Sequence, residues 1–415
     1  MLNKISKRLP LAALTLAIAG LAGTSAVAGD LVINYDDPGV APKAGFEAAV
    51  EAFKAANPDI NVTVNINDRE AHKTAIRNFL SAEAPDVTAW YPGNRMAPFV
   101  EAGLFEDVSD LWEQEGFNES LAAIRPTMTI DDKQWGVPYS YYQWGVYYRK
   151  DIFDKLSLEE PKNWEEFNKV AMTLKEAGVT PLTIGTKFLW TAAGVFDYLN
   201  LRINGYEVHN DLTAGKIKYT DERIRNVFVA WKEMVDAGYF IDNHATMSWQ
   251  DAIAPFSNGD AAMYVMGNFA VDGFKNAGLT EEQIDYFQFP EITPGLPRAE
   301  EAPADAFFIP TKAKNKEDAR KFLAFVAQTD VQTEWNKTLG QLPVNKNSTV
   351  GESKFLQEGF ETLSTATGLA QFYDRDAPAQ MAKAGMEGFQ EFMVDTSKLD
   401  AILERLDKVQ AEVYK

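Results

Sequence analysis

The chain contains no cysteine. That absence removes disulfides, thiolate metal sites, iron–sulfur clusters and a cysteine nucleophile together. Histidine is scarce: His72, His209 and His244 lie too far apart for a local metal motif, and no metal or cofactor is expected. A basic surplus is missing too, since 40 Lys and Arg face 60 Asp and Glu for a net charge of −20. Spread along the chain, this charge repels a nucleic-acid backbone and excludes that class of partner. No phosphate loop, dinucleotide fingerprint, nucleophile elbow or paired-histidine zinc motif occurs. What is present is 415 residues, 46% of them hydrophobic and 12% aromatic, enough apolar surface for more than one folded core.

The first segment reads as an address. Lys4, Lys7 and Arg8 precede an apolar stretch from Leu9 to Ala22, and Ala26-Val27-Ala28 is the small-x-small pattern of a signal peptidase site. Residues 1–28 are therefore expected to be a signal peptide cleaved after Ala28, delivering the chain to the periplasm. The stretch is shorter than the roughly 18 residues of a membrane anchor, and no later run is apolar enough, so no membrane insertion is expected. Without a cysteine there is also no site for a lipid tether.

Strand and helix patterns then alternate. Leu31 to Tyr35 reads as a strand, Phe46, Val50 and Phe53 mark one face of a helix, and Ile60, Val62, Val64 and Ile66 alternate with polar residues as in a half-solvated strand. Such an order predicts a layered α/β fold. Further on, Ile224, Val227, Phe228, Trp231, Met234 and Val235 form a helical stripe closed by Gly238, and a core role is expected for it. Four prolines between 290 and 303 mark a loop.

Chemistry concentrates in aromatic clusters. Residues 135–148 hold seven aromatic side chains in fourteen positions, and Trp90-Tyr91-Pro92-Gly93-Asn94-Arg95 sets rings beside an amide and a guanidinium. Rings of this kind either pack in a core or line a cleft, where a ring face stacks on the C–H face of a sugar while nearby polar groups meet its hydroxyls. Hydrolysis by two placed carboxylates stays open as an alternative, because a chain with 60 acids can hold such a pair without a motif.

Several segments follow in a fixed order. Pro85-Asp86-Val87 leads to Trp90 and then Glu101-Ala102-Gly103-Leu104-Phe105; Trp135-Gly136-Val137-Pro138-Tyr139 is followed by Val146 to Phe153; Pro161 to Phe167, Phe256 to Gly267, Asn315 to Leu323 and Gly340 to Pro343 come after. This order resembles the extracellular solute-binding proteins of family 1, the sugar-binding subunits of ABC importers. The resemblance implies a two-lobed α/β periplasmic binding protein fold (type II) with its ligand cleft between the lobes. One lobe would be 29–139 plus 306–340, the other 140–305 plus 341–415, with crossings near Tyr139–Tyr142, Asp305 and Leu339–Pro343. It also implies a non-enzymatic monomer that captures a carbohydrate and delivers it to ABC permease subunits; glycerol-phosphate or polyamine cargo, docking on a sensor, and a secreted carbohydrate-active enzyme remain the alternatives. The matching motif positions nominate Trp90, Asn94 and Arg95, Tyr139 and Tyr142, and Gly267, Asn268 and Phe269 as ligand-binding. Loop or crossing placement adds Trp190, Trp249, Asp305 and Arg375, and the end of the first strand adds Asp36 and Asp37.

Overall fold

A computed structural model describes residues 29–37, 40–339 and 341–414; the expected signal peptide and its cleavage after Ala28 lie outside the described residues. Two sheets organise the chain. The first runs in the order Ile60–Asp68, Gly29–Asp37, Val87–Trp90, Ala304–Phe308, Val137–Tyr141. Its first three strands are parallel and its last two pair antiparallel, so residues from the late strand Ala304–Phe308 sit inside the N-terminal body. The strand Ile60–Asp68 is at the sheet edge, and its alternation follows: Ile60 and Val62 are buried while Asn61 and Thr63 are exposed.

Helices cover this sheet through the periodic faces of their sequences. Phe46, Val50 and Phe53 of Val40–Ala56 are buried, and Phe53 meets Phe322 of Lys316–Val326 edge to face at 5.2 Å. Asp86, from the Pro-Asp-Val segment, is a scaffold group. Its carboxylate accepts from the backbone N–H of Val32, Lys314 and Asn315 at 2.8–2.9 Å, tying the first strand to the loop before that helix.

The second sheet runs Ile284–Phe287, Trp144–Arg149, Ala261–Gly267, Thr180–Thr183. Around it pack Trp190–Asn204, Glu222–Asp236 and Ala379–Val394, and the stripe Ile224, Val227, Phe228, Trp231 and Met234 is buried against Phe389 and Phe392. Two large hydrophobic cores result, one for each sheet. Among the described residues no helix is long and apolar enough to cross a membrane.

The chain changes core at Tyr141–Tyr142 and again between Phe289 and Ala302. Its later return differs from the expected switch at residue 341. Leu342 and Val344 stay in the first core, as do Leu363 and Leu369, whereas Phe355 and Phe372 belong to the second. The cause is a backbone zipper: Leu342 and Tyr141 exchange N–H···O bonds of 3.0 and 3.2 Å, which extends the edge of the first sheet by one residue. Between the bodies a short parallel pair, Ala299–Glu301 with Gly368–Ala370, carries two of the connecting segments side by side.

Candidate functional site

Where the ends of several strands converge between the two bodies lies a cavity of about 210 Å³. Most wall residues arrive on a segment that follows a strand, the usual place for ligands in open α/β sheets, while Trp144 opens the strand Trp144–Arg149. Tyr91 follows Val87–Trp90; Tyr142 and Trp144 flank the first crossing; Trp190 opens the helix after Thr180–Thr183; Phe269 follows Ala261–Gly267; and Phe372, Asp374 and Arg375 follow Gly368–Ala370. Lys73, from the helix Arg69–Ser81, completes the lining.

Five of these rings form one continuous array. Trp190 meets Trp144 edge to face at 5.9 Å, and Phe269 and Phe372 at 6.2 and 6.1 Å; Tyr142 meets Phe269 edge to face at 5.6 Å. Two glycines make room for it. A Cβ on Gly194 would lie 2.6 Å from the Trp144 ring, and one on Gly267 would lie 2.4 Å from the ring of Phe269, which folds back over the strand end. Gly267→Ala would therefore displace Phe269 from its place in the wall.

Arg375 is the central cation. Its guanidinium lies 5.0 Å from the Tyr91 ring and 5.6 Å from the Tyr142 ring, and it donates to Asp305 at 3.2 Å. Burial works against its charge, yet Tyr142, Asp305, Tyr91 and Asp374 together hold its pKa well above the ordinary arginine value, so it stays ionised. Because Tyr91 and Asp305 belong to the first sheet's body and Tyr142 to the second, Arg375 also links the two.

Several nominated residues stand elsewhere. Trp90 is 4% exposed and does not line the cavity: its ring packs on His72, Tyr91 and Phe99, and its indole N–H donates to the Arg95 carbonyl at 3.0 Å. Tyr139 is likewise a core ring, stacked on Trp335 at 4.6 Å and on Phe307 at 4.6 Å. Asn94 and Arg95 contact protein across the cleft instead of the cavity. The Asn94 amide donates to Asp376 at 2.9 Å and Thr213 at 3.0 Å, its backbone N–H donates to Asp376 at 2.7 Å, and Arg95 donates to the Ala377 carbonyl at 2.9 Å. Burial raises the Asp376 carboxyl above the ordinary aspartate value, and these hydrogen bonds from Thr213 and Asn94 pull the other way.

Asp305 sits behind Arg375 as its ion-pair partner. Trp249 is a second layer, edge to face with Phe269 at 5.4 Å and with Trp190 at 6.4 Å. Gly267 and Asn268 form the turn beneath Phe269, where the Asn268 N–H donates to the Gln143 carbonyl at 3.0 Å. Asp36 is buried near the end of the first strand, and Asp37 ends that strand in register with Asp68. Of the fourteen nominated residues, Tyr142, Trp190, Phe269 and Arg375 line the cavity.

Tyr91, Trp144, Phe372, Asp374 and Lys73 were not nominated. Trp144 lies in the aromatic run 135–148 and Tyr91 is the next residue after Trp90, so the sequence signal for both is adjacent to the nominated positions. Phe372 to Arg375, two rings followed by an acid and a base after a short strand, carried a readable pattern of which only the arginine was taken up.

A larger hollow of about 730 Å³ lies on the second body, lined by Glu160, Arg202, Tyr286, Arg298 and Glu358 among others. Its arginines are already engaged, Arg202 with Glu300 at 2.8 Å and Arg298 with Gln288 at 2.7 Å, and none of its wall comes from the first sheet. The smaller cavity is walled from both bodies by rings with a few polar groups, the lining chemistry of a small-molecule site. No group of acidic or histidine side chains suited to a metal ion occurs among the described residues.

Two α/β bodies joined by crossing segments around an aromatic cavity define a cleft-type solute receptor. The chain belongs to the family of bacterial extracellular solute-binding proteins, whose model matches residues 37–333. It is 26% identical over 328 residues to an uncharacterised ABC transporter extracellular-binding protein of Pyrococcus horikoshii, covering 77% of this chain and 72% of that one. With the multiple sugar-binding protein of Streptococcus mutans it shares 24% over 302 residues, 71% of each chain. Among solved structures it superposes on AcbH, a bacterial solute receptor with an exclusive preference for β-D-galactopyranose, with a TM-score of 0.86 at 26% identity over 94% of this chain and all of that one. These relatives are named as binding proteins or solute receptors.

Proposed function

We propose that the chain is the periplasmic receptor of an ABC importer and that its cargo is a single uncharged pyranose, enclosed between the lobes and handed to the permease without bond making or breaking. The carrying observation is the cavity itself. Six rings supply stacking faces, and a volume of about 210 Å³ suits one sugar ring better than a chain of them. At about 30 Å³ each it holds only about seven waters. Formal charges around it cancel: Lys73 and Asp374 are in the wall, and Arg375 is paired with Asp305. A phosphate or carboxylate on the cargo would need an uncompensated cation, and a polyamine an uncompensated acid. The preference of AcbH for a monosaccharide supports the same size.

A thermal-shift screen of residues 29–415 tests this. Cargo at one hundred times its Kd adds about 2.7 kcal/mol and raises the Tm by several degrees. Neutral hexoses, D-galactose among them, are expected to shift it, and trisaccharides and sugar phosphates are not. Shifts only with charged cargo, or with no sugar at all, would refute the reading, as would turnover of chromogenic glycosides.

The bridge from Asn94 to Asp376 and Thr213 supports a closed arrangement of the lobes. Since affinity includes the closure equilibrium, Asn94→Ala should weaken sugar binding without touching sugar. Losing two hydrogen bonds, one of them to a carboxylate, costs the closed form about 1.5 kcal/mol or more, about tenfold in affinity. Titration calorimetry reads this directly, and a change under twofold would remove the bridge from the closing mechanism.

A further inference from the structure

Five non-glycine residues among the described ones have a positive φ, and Leu189 is the one with an aliphatic side chain. Asp131, Asp132, Ser157 and Asn243 are of types that visit this region at modest cost; a leucine is not. Its φ of 70° and ψ of −45°, with the Trp190 N–H donating to the Phe188 carbonyl at 2.8 Å, make Phe188-Leu189-Trp190 a γ-turn of the rare, strained hand. Packing does not require leucine here, because the side chain is only half-buried.

The surrounding loop holds the turn in place from both sides. The Thr186 carbonyl accepts from the Leu189 N–H at 2.8 Å and from the Gln390 amide at 2.5 Å, and the Thr186 hydroxyl meets His244 Nδ1 at 2.9 Å. The Lys187 N–H donates to the Met247 carbonyl at 2.9 Å, and the Thr191 hydroxyl donates to the Gly185 carbonyl at 2.6 Å. Strain that is over-determined in this way collects at working sites. The residue the turn delivers is Trp190, first in its helix and a wall of the cavity.

We infer that the strained turn at Leu189 sets the Trp190 ring in the cavity wall, which makes Leu189 a positioning residue for cargo binding. Glycine at 189 accepts the backbone angles without strain but leaves the turn free to leave them, so the ring is no longer pre-set. Binding then has to order it, and affinity falls by about tenfold, mostly through faster release. Asparagine tolerates the same angles with less freedom than glycine and should restore most of the loss.

The test uses L189G, L189N, W190A and the double variant of residues 29–415, with D-galactose as the probe. Its affinity arm rests on the sugar reading above, but its spectroscopic arm does not. Trp190 lies 5.9 Å from Trp144 and 6.4 Å from Trp249, so the near-ultraviolet circular dichroism of the three indoles reports the ring's placement without ligand. L189G is expected to lose near-ultraviolet signal with its Tm unchanged or raised, L189N to regain it, and L189G to cost nothing further in a W190A background. An unchanged near-ultraviolet spectrum in L189G would overturn the inference, and so would an affinity loss that adds in full to that of W190A. A wild type that ignores D-galactose while L189G loses its indole signal would refute the galactose reading and uphold the turn.

Discussion

Trp190→Ala is expected to weaken cargo binding by roughly a hundredfold, about 2.7 kcal/mol, while leaving the protein folded. The size follows from the ring's position. Trp190 joins Trp144, Phe269, Phe372 and Trp249 in one array and lines the cavity, so its removal takes an aromatic surface and lets water into the wall. Stability suffers less, because the ring is only half-buried and sits at the first position of its helix. Titration calorimetry with the best sugar of the screen, beside a thermal melt, separates the two effects. An affinity within threefold of wild type would place the cargo elsewhere.

Trp90→Ala should do the reverse. A buried tryptophan that packs on His72, Tyr91 and Phe99 and donates to the Arg95 carbonyl leaves both a cavity and an unmet acceptor when truncated. Truncations of this kind cost about 3–5 kcal/mol. For a body of this size that corresponds to a fall in Tm on the order of 10 °C. Any affinity loss should come through Tyr91 and the Asn94–Arg95 turn, which Trp90 supports, and should be smaller than that of Trp190→Ala. A variant with wild-type Tm and no sugar binding would return Trp90 to the cavity.

These two tryptophans show what sequence reading reaches and where it stops. Trp90 is nominated from a matching motif position and Trp190 from its place on a loop. Trp90 belongs to a strand whose four residues are all buried, so no polar alternation indicates which ring faces the cleft and which the core. Of these two adjacent rings, Tyr91 lines the cavity and Trp90 packs in the core. Tyr139 went the same way, sealed between Trp335 and Phe307 by residues about two hundred positions later in the chain. Asn94 and Arg95 had suitable chemistry for a hydroxyl, but their partners Asp376 and Ala377 come from the far end of the sequence. No local pattern records such a pairing.

The fold class was legible because it depends on repeated local signals. Alternation in Ile60–Asp68, the stripe in Glu222–Asp236, the strand-and-helix order and the motif segments all survive without knowledge of neighbours. Family membership followed from the same segments, many of which are scaffold, as the three backbone bonds accepted by Asp86 show.

The sequence by itself thus determined the class of protein: a cysteine-free α/β solute-binding protein rich in cleft-suited aromatics. Tertiary structure alone decided which rings meet, that Arg375 is paired with Asp305, that Asn94 closes on Asp376, and that Leu189 is strained. The physical reason is range. Periodicity and motif order are set by neighbours a few residues apart, whereas a cavity is made by segments such as 91, 142, 190, 269 and 375, which only packing brings within a ring's width of one another.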